Sequence, residues 1–347
     1  MKRLKFISVL LLTVFLFCAC QAPNPNGNDL VKDKIEVYYI DVGQADSALV
    51  ICDGVSMLVD GGNVEDAEDV TAFIKQKGVT RLDMVIASHA HEDHVGGLAK
   101  ILKEFDVGAV LSPVEDYSSA CFKDFKQIAS KKGSFTVCNN HYSFSVGSAM
   151  GKILWPADEA ETNTNNTSIV VKLTYKDVSF LFTGDIERDA ESKLVATGAD
   201  LNANVLKVAH HGSDSSSSYL FLRSVLPQYA IISCGKNNSY NHPHQQTLDI
   251  LSQAEITTYR TDEVGTVFVS SDGTNITVTA GENVQTTAAA TGAPALDSAI
   301  TFIGNKNSKK FHLPDCNSLP KEENRVYFSS RNSAINEGYT PCSVCKA

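Results

Sequence analysis

The sequence predicts an α/β fold followed by a separate, smaller α+β module. Two observations predict the first part. Short β-branched or aromatic segments alternate with stretches of helical spacing from about residue 35 to residue 280. The apolar fraction, 43% of 347 residues, is that of a chain with an ordinary packed core. A third observation separates the module: residues 281–298 are rich in Thr, Ala and Gly and show no period, so they read as a linker.

Taken in order, residues 1–20 have a basic start, an apolar run from Phe6 to Phe17, and the sequence Cys18-Ala19-Cys20. The run is too short to span a bilayer comfortably and has the proportions of a secretion signal. Ala19 before Cys20 resembles a bacterial lipobox, which makes Cys20 the expected lipidation site and the membrane an expected partner through an N-terminal lipid anchor. An ordinary cleaved signal is the alternative. Residues 21–33, with prolines and asparagines, read as a tether. The expected location is extracytoplasmic, lipid-anchored to a bacterial cell membrane.

Residues 35–42 alternate as a strand does, and residues 47–52 and 56–60 form a strand pair around Asp53-Gly54. Residues 66–77 carry Val70, Phe73 and Ile74 at helical spacing. Residues 82–87 are a short apolar strand. Residues 93–105 read as one helix with Val95, Leu98, Ile101 and Leu102 inward. The formal charge of −10 excludes nucleic-acid binding through general basicity.

Chemistry concentrates where the strand at 82–87 ends, in Ser88-His89-Ala90-His91-Glu92-Asp93-His94-Val95-Gly96-Gly97. His89 and His91 sit two apart and point the same way in extended chain. Asp93 and His94 fall at a helix start, where Asp93 caps the helix while facing a cation. Two ligand pairs aimed at neighbouring points suit two divalent ions, zinc or else manganese or iron.

Here the chain resembles the metallo-β-lactamase superfamily. Leu58-Val59-Asp60-Gly61-Gly62 is similar to its first motif, whose aspartate supports the site from behind. Phe180-Leu181-Phe182-Thr183-Gly184-Asp185 is similar to the motif whose aspartate bridges two metals. His210-His211-Gly212-Ser213 follows another apolar strand and matches the last histidine ligand, with His211 favoured over His210. Further phrases resemble the extracytoplasmic hydrolase domain of ComEC-type competence proteins: Asp41-Val42-Gly43-Gln44-Ala45-Asp46-Ser47, Asn165-Asn166-Thr167-Ser168, Asn238-Ser239-Tyr240-Asn241-His242-Pro243-His244, and Thr261-Asp262-Glu263-Val264-Gly265-Thr266. Choline-phosphate esterases of bacterial surfaces share much of this pattern.

The resemblance covers about residues 34–280 and implies an αββα sandwich, two mixed sheets with helices outside. It implies a dinuclear site held by His89, His91, Asp93, His94, Asp185 and His211, with Asp93 and Asp60 supporting catalysis. It also implies a hydroxide held between the ions as nucleophile, directed at a phosphoester in nucleic acid or in a surface polymer. The superfamily's third-motif histidine has no counterpart. Asn166 lies near that position, as a weak ligand or a substrate contact. His242 and His244 line the pocket, with His244 as a proton donor to the leaving group, or else they cap the helix beginning near Gln245. Ser213, at the head of the run 213–218, contacts substrate or belongs to a plain loop. The expected function is therefore a surface-tethered dinuclear phosphodiesterase or nuclease. A phosphocholine-type esterase and a non-catalytic ligand-binding lipoprotein are the alternatives. No obligate protein partner is evident.

In residues 299–347, His312-Leu313-Pro314-Asp315-Cys316 precedes Cys342-Ser343-Val344-Cys345. These offer a closed Cys3His set for one structural zinc, with a Cys342–Cys345 disulfide as the alternative. The stretch resembles the metal-binding domain of Ada-type repair proteins, where cysteine replaces His312. Cys52 and Cys234 read as buried thiols, and Cys121 and Cys138 as free or paired.

Overall fold

In the computed structural model, residues 33–345 are described except 139, 141, 156–160, 282–283, 291–301, 315 and 329–330. Cys20 and the signal and tether expectations lie outside these residues, as does His141. Among the described residues, no helix is long and apolar enough to cross a membrane.

Two mixed sheets stack face to face. In the first, Ile35–Tyr39, Ala48–Cys52 and Val55–Val59 form an antiparallel meander that continues into parallel Arg81–Ile86, Asp106–Ser112 and Phe135–Val137. Val267–Ser271 and Asn275–Ala280 extend the other edge. In the second, Ser143–Val146, Ala149–Trp155, Val170–Tyr175 and Val178–Phe182 run antiparallel. Val205–Lys207, Tyr229–Ile232 and Thr257–Arg260 then add parallel strands.

Strand alternation decides what faces what. Val37, Tyr39, Val50, Met57 and Ile86 meet Val171, Leu173, Phe180, Phe182 and Ile231 between the sheets. The opposite faces are covered by helices. Leu49, Leu58 and Val85 pack under Val70, Ile74, Leu98, Ile101 and Phe122. Leu181, Leu206 and Ile232 pack under Leu194, Phe221, Leu222 and Leu251. Each such side chain contributes about 1.5–3 kcal/mol on burial. The order helix, sheet, sheet, helix is the expected αββα sandwich.

Two expectations change. The helix expected over 93–105 is two pieces, Glu92–Val95 and Leu98–Glu104. Gly97 N–H donates to the carbonyl of Gly62 at 3.1 Å instead of continuing the helix. A Cβ on Gly97 would collide with the Gly61 carbonyl, so the two loops touch only because glycine stands there. The composition-based linker is also partly a strand: Val284–Ala289 pairs antiparallel with Asn275–Ala280 as a sheet edge. Edge pairing supplies its backbone hydrogen bonds, so no apolar period is needed.

The C-terminal module is a four-stranded sheet of Phe302–Asn305, Lys310–His312, Arg325–Phe328 and Thr340–Pro341, with a helix at Arg331–Asn336. Its Phe302, Phe311, Leu313 and Tyr339 join the apolar cluster under Leu194 and Leu222.

Candidate metal centre

Every element of the site lies at the carboxyl end of a strand, where strand ends leave a crevice open to ligand. Asp60 follows Val55–Val59, the His89–His94 loop follows Arg81–Ile86, Asp185 follows Val178–Phe182, and His211 follows Val205–Lys207. Backbone hydrogen bonds weave these ends together. Asp46 N–H donates to Asp93 O at 3.0 Å, Gly61 N–H to His94 O at 2.8 Å, and Gly62 N–H to Asp46 O at 2.9 Å.

Asp185 sits at the centre. Its Oδ2 lies 3.9 Å from His89 Nε2, 3.3 Å from His94 Nε2, 3.6 Å from His211 Nε2 and 3.8 Å from His210 Nε2. Asp93 Oδ2 lies 3.1 Å from His211 Nε2 and 3.7 Å from His94 Nε2. His89 Nε2 is 3.0 Å from His91 Nδ1. The structure thus gathers Asp93, His94, Asp185 and His211 within 4.8 Å of one another, with His89 and His91 beside them. His210 stands at the rim, its Nδ1 3.1 Å from the Ser215 hydroxyl. Both His210 and His211 adopt left-handed backbone, φ 52° and 53°. Such non-glycine strain costs of order 1–3 kcal/mol per residue and is held by the surrounding packing.

A second layer holds the imidazoles from behind. Asp60 Oδ2 is 2.9 Å from His94 Nδ1, and its Oδ1 accepts from Ser88 N–H at 2.7 Å. His211 Nδ1 is 3.0 Å from the Ser233 carbonyl and 3.3 Å from Asp46 Oδ1. Lys207 Nζ, itself buried, lies 2.7 Å from Asp46 Oδ2. The Asp46 and Lys207 pair was not singled out from sequence. Its two members are 161 positions apart, and no local pattern links them.

Electrostatics show what the cluster lacks. Among the described residues, four carboxylates, Asp46, Asp60, Asp93 and Asp185, stand around these rings with one fixed cation, Lys207. Burial opposes charging of His211, but Asp185 and then Asp46 raise its pKa to about 10. Burial likewise opposes His94, which Asp185, Asp93 and Asp60 carry well above the usual imidazole range. Burial opposes charge on Asp46, yet the Lys207 ammonium holds its pKa at about 2. The buried atoms His94 Nε2 and Asp185 Oδ1 have no hydrogen-bond partner. Orphaned ligand atoms and excess negative charge are what divalent cations would satisfy, so the residues fit a metal centre.

Asn165 stands where Asn166 was expected. Asn166 Oδ1 accepts from Glu187 N–H at 2.9 Å and its carbonyl accepts from the Trp155 indole at 3.1 Å. Asn165 instead faces the site: its Nδ2 donates to Glu187 Oε1 at 3.0 Å and lies 3.5 Å from His210 Nε2, while its buried Oδ1 is unpartnered. Both lie in the tight turn Asn165–Thr167, where neighbouring side chains diverge by about 120°. A slip of one residue therefore changes the face entirely.

Ser213 is buried with its hydroxyl 3.0 Å from that of Ser215, and it accepts from Ser215 N–H at 3.2 Å. Its hydroxyl is engaged inside the loop, the other of the two readings of Ser213. His242 stacks beside His211, with centroids 6.2 Å apart and planes 20° apart. Burial, then the neighbouring His210, His211 and His244, push its pKa down to about 4. His244 is the N-cap residue of Gln245–Gln253, and its Nδ1 accepts from Asp214 N–H at 2.9 Å. Its contact with the cluster passes through the His242 ring, 4.9 Å away.

In the module, the ligand atoms of His312, Cys316, Cys342 and Cys345 lie within 4.8 Å of one another. Backbone N–H groups of Ser318 and Val344 donate to the sulfurs of Cys316 and Cys342 at 3.4 Å, and that of Leu313 to Cys345 at 3.4 Å. Among the described residues no disulfide forms, and Cys52, Cys121, Cys138 and Cys234 are free thiols. Four N and S donors around one point leave no open position, which is the form of a structural zinc site.

Two mixed sheets with a histidine- and aspartate-lined mouth define a metal-dependent hydrolase. The chain belongs to the metallo-beta-lactamase superfamily, which matches residues 40–236. Residues 287–347 match the metal binding domain of Ada. The hydrolase site takes two divalent metal ions and the module one structural zinc.

ComE operon protein 3 of Bacillus subtilis is 30% identical over 251 residues, 67% of this chain and 32% of that protein. Competence protein ComA of Neisseria gonorrhoeae is 30% identical over 236 residues, with the same two shares. Recombination protein 2 of Haemophilus influenzae is 28% identical, covering 70% of this chain and 29% of its own. The chain thus spans about a third of the length of the curated relatives it matches. Among solved structures, a metallo hydrolase of the archaeon Ignicoccus hospitalis covers 68% of this chain and 98% of its own, with 14% identity and a TM-score of 0.46.

Proposed function

We propose that the protein is a phosphodiesterase acting on nucleic acid, tethered outside the cell membrane through a lipid on Cys20. The observation that carries the hydrolytic part is Asp185, one oxygen of which lies within 3.9 Å of four imidazoles while the other is buried and unpartnered. Such a carboxylate is placed to serve two ions at once. The names of the relatives, which refer to competence and recombination, support nucleic acid as substrate.

His89 and His91 would hold one ion, Asp93, His94 and His211 the other, and Asp185 both. The Asn165 oxygen stands on the His91 side. Bound divalent ions supply Lewis acidity and a water acidified towards neutrality. The chain supplies the rest. Asp60 and Ser88 fix the His94 ring, and Asp46 with the Ser233 carbonyl fixes His211. His244 accepts at Nδ1 from Asp214 N–H, which leaves Nε2–H as its donor, and from there it would hydrogen-bond the departing oxygen.

The test is turnover of bis-(p-nitrophenyl) phosphate and of a single-stranded oligonucleotide by protein loaded with zinc or manganese. Background rates on both, alongside brisk lactone or β-lactam hydrolysis, would overturn the reading. Release of the protein from the membrane fraction by Cys20→Ser tests the anchor. Unchanged membrane retention would remove it.

A further inference from the structure

The ring stack at the metal centre does not end with His242. Tyr240 lies against the outer side of that ring, with centroids 5.7 Å apart and planes 23° apart. His211, His242 and Tyr240 therefore form a ladder of nearly parallel rings running from the metal centre to solvent. Its last rung is open: Tyr240 is 64% exposed, the most exposed of the large apolar side chains described.

The ladder is rigid before any ligand arrives. Asn238 Oδ1 accepts from Tyr240 N–H at 3.1 Å and from His242 N–H at 3.0 Å, while its Nδ2 donates to the carbonyls of Gly235 and His242. Gln44, reaching over from the other sheet, accepts from Gly235 N–H at 3.0 Å and donates to His242 Nδ1 at 3.4 Å. The loop is thus tied to both halves of the sandwich. A platform ordered in advance loses little entropy on binding.

Beside it runs a polar groove of about 560 Å³ lined by Lys236, Asn237, Asn241 and His242. Arg260, at its far wall, is engaged by Asp262 and Glu263. Among the described residues no carboxylate pairs with Lys236, so it is the cation on offer there.

The geometry points to a nucleotide subsite in which an unpaired base stacks on Tyr240 and the neighbouring phosphate meets Lys236. This rests on the phosphodiesterase reading and adds the form of the substrate. A base in duplex has both faces covered by its neighbours, whereas a single strand offers its faces freely. One cation on a chain of charge −10 provides little counterion release, so binding comes mainly from stacking and weakens only shallowly with salt. A short single strand, or the frayed end of a duplex, meets both conditions.

The experiment is a cycle run on the full, metal-loaded protein. Wild type, Tyr240→Ala and Tyr240→Phe are compared on a single-stranded oligonucleotide and on the same strand with abasic positions flanking the cleavage point. Tyr240→Ala is expected to raise KM on the intact strand about 10- to 100-fold. Tyr240→Phe, which keeps the ring, should restore it. On the abasic strand the alanine variant should add less than threefold (about), because the base that it fails to stack is already missing. Equal penalties on both strands, or none, overturn the subsite while leaving the phosphodiesterase standing. A wild type inactive on the oligonucleotide and on bis-(p-nitrophenyl) phosphate overturns both. Turnover of p-nitrophenyl phosphorylcholine but not of oligonucleotide, lost in Tyr240→Ala, overturns the base and assigns the same ring to a quaternary ammonium.

Discussion

The Asp60 carboxylate lies 2.9 Å from Nδ1 of His94 and at the same time accepts the Ser88 N–H at 2.7 Å. One buried side chain thereby fixes both the ring that faces the metal centre and the loop that carries His89 and His91. Asp60 itself takes left-handed backbone, φ 60°, to reach both.

The first prediction concerns that pair. Asp60→Asn keeps the shape but can no longer hold the charge and tautomer of His94. Metal affinity, measured by chelator competition, should fall about 10- to 100-fold. Hydrolysis at saturating metal should recover in part. An affinity equal to wild type would remove Asp60 from the site.

A second prediction concerns Lys207. Its ammonium is the fixed cation beside Asp46, 2.7 Å away and buried. Lys207→Met leaves that buried carboxylate without its ammonium, the His211 ring remaining at 3.3 Å, and should cost about 3–5 kcal/mol by denaturant unfolding. Adding Asp46→Asn should return part of the loss, since the two residues share one interaction. Simple additivity in the double variant would show that they do not act together.

Glu191 supplies a pH dependence away from the metal centre. Its buried carboxylate accepts from the N–H groups of Ser217 and Ser218, holding the serine run in place. Burial raises its pKa from 4.5 to about 7, against those hydrogen bonds. The folded state therefore binds the proton more tightly than the unfolded one. Stability should fall as pH rises from about 4.5 to about 7, by about 3 kcal/mol at full ionisation. Glu191→Gln should flatten this slope in urea unfolding followed between those pH values.

The module should behave as a metal-dependent fold. Cys342→Ser opens the Cys3His set, and structural zinc binding supplies about 10–16 kcal/mol towards the folding of so small a module. Zinc content should drop by one ion per chain, and limited proteolysis should cut within residues 302–345. Retention of both zinc and resistance would refute a structural role.

Much of the site is legible in the chain because its ligands come in short runs after apolar strands. His89 to His94 span six residues, and Asp185 and His211 each close a strand. What could not be read were relations between distant segments. Asn165 and Asn166 are chemically alike, and only the phase of the turn decides which one faces the crevice. Ser213 reads equally as a substrate contact or as plain loop, and only the fold shows its hydroxyl beside that of Ser215.

The sequence by itself determined the α/β class, the metal-ligand runs and the Cys3His module, because strand alternation and ligand spacing are local properties of the chain; the sandwich followed from the resemblance to the metallo-β-lactamase superfamily. Tertiary structure alone decided three things. It set Lys207 against Asp46, it broke the helix at Gly97 by bringing up the Gly61 loop, and it laid His242 on His211 at the mouth. Each depends on surfaces remote in sequence meeting at close-packed distances, and no periodicity within a segment records that meeting.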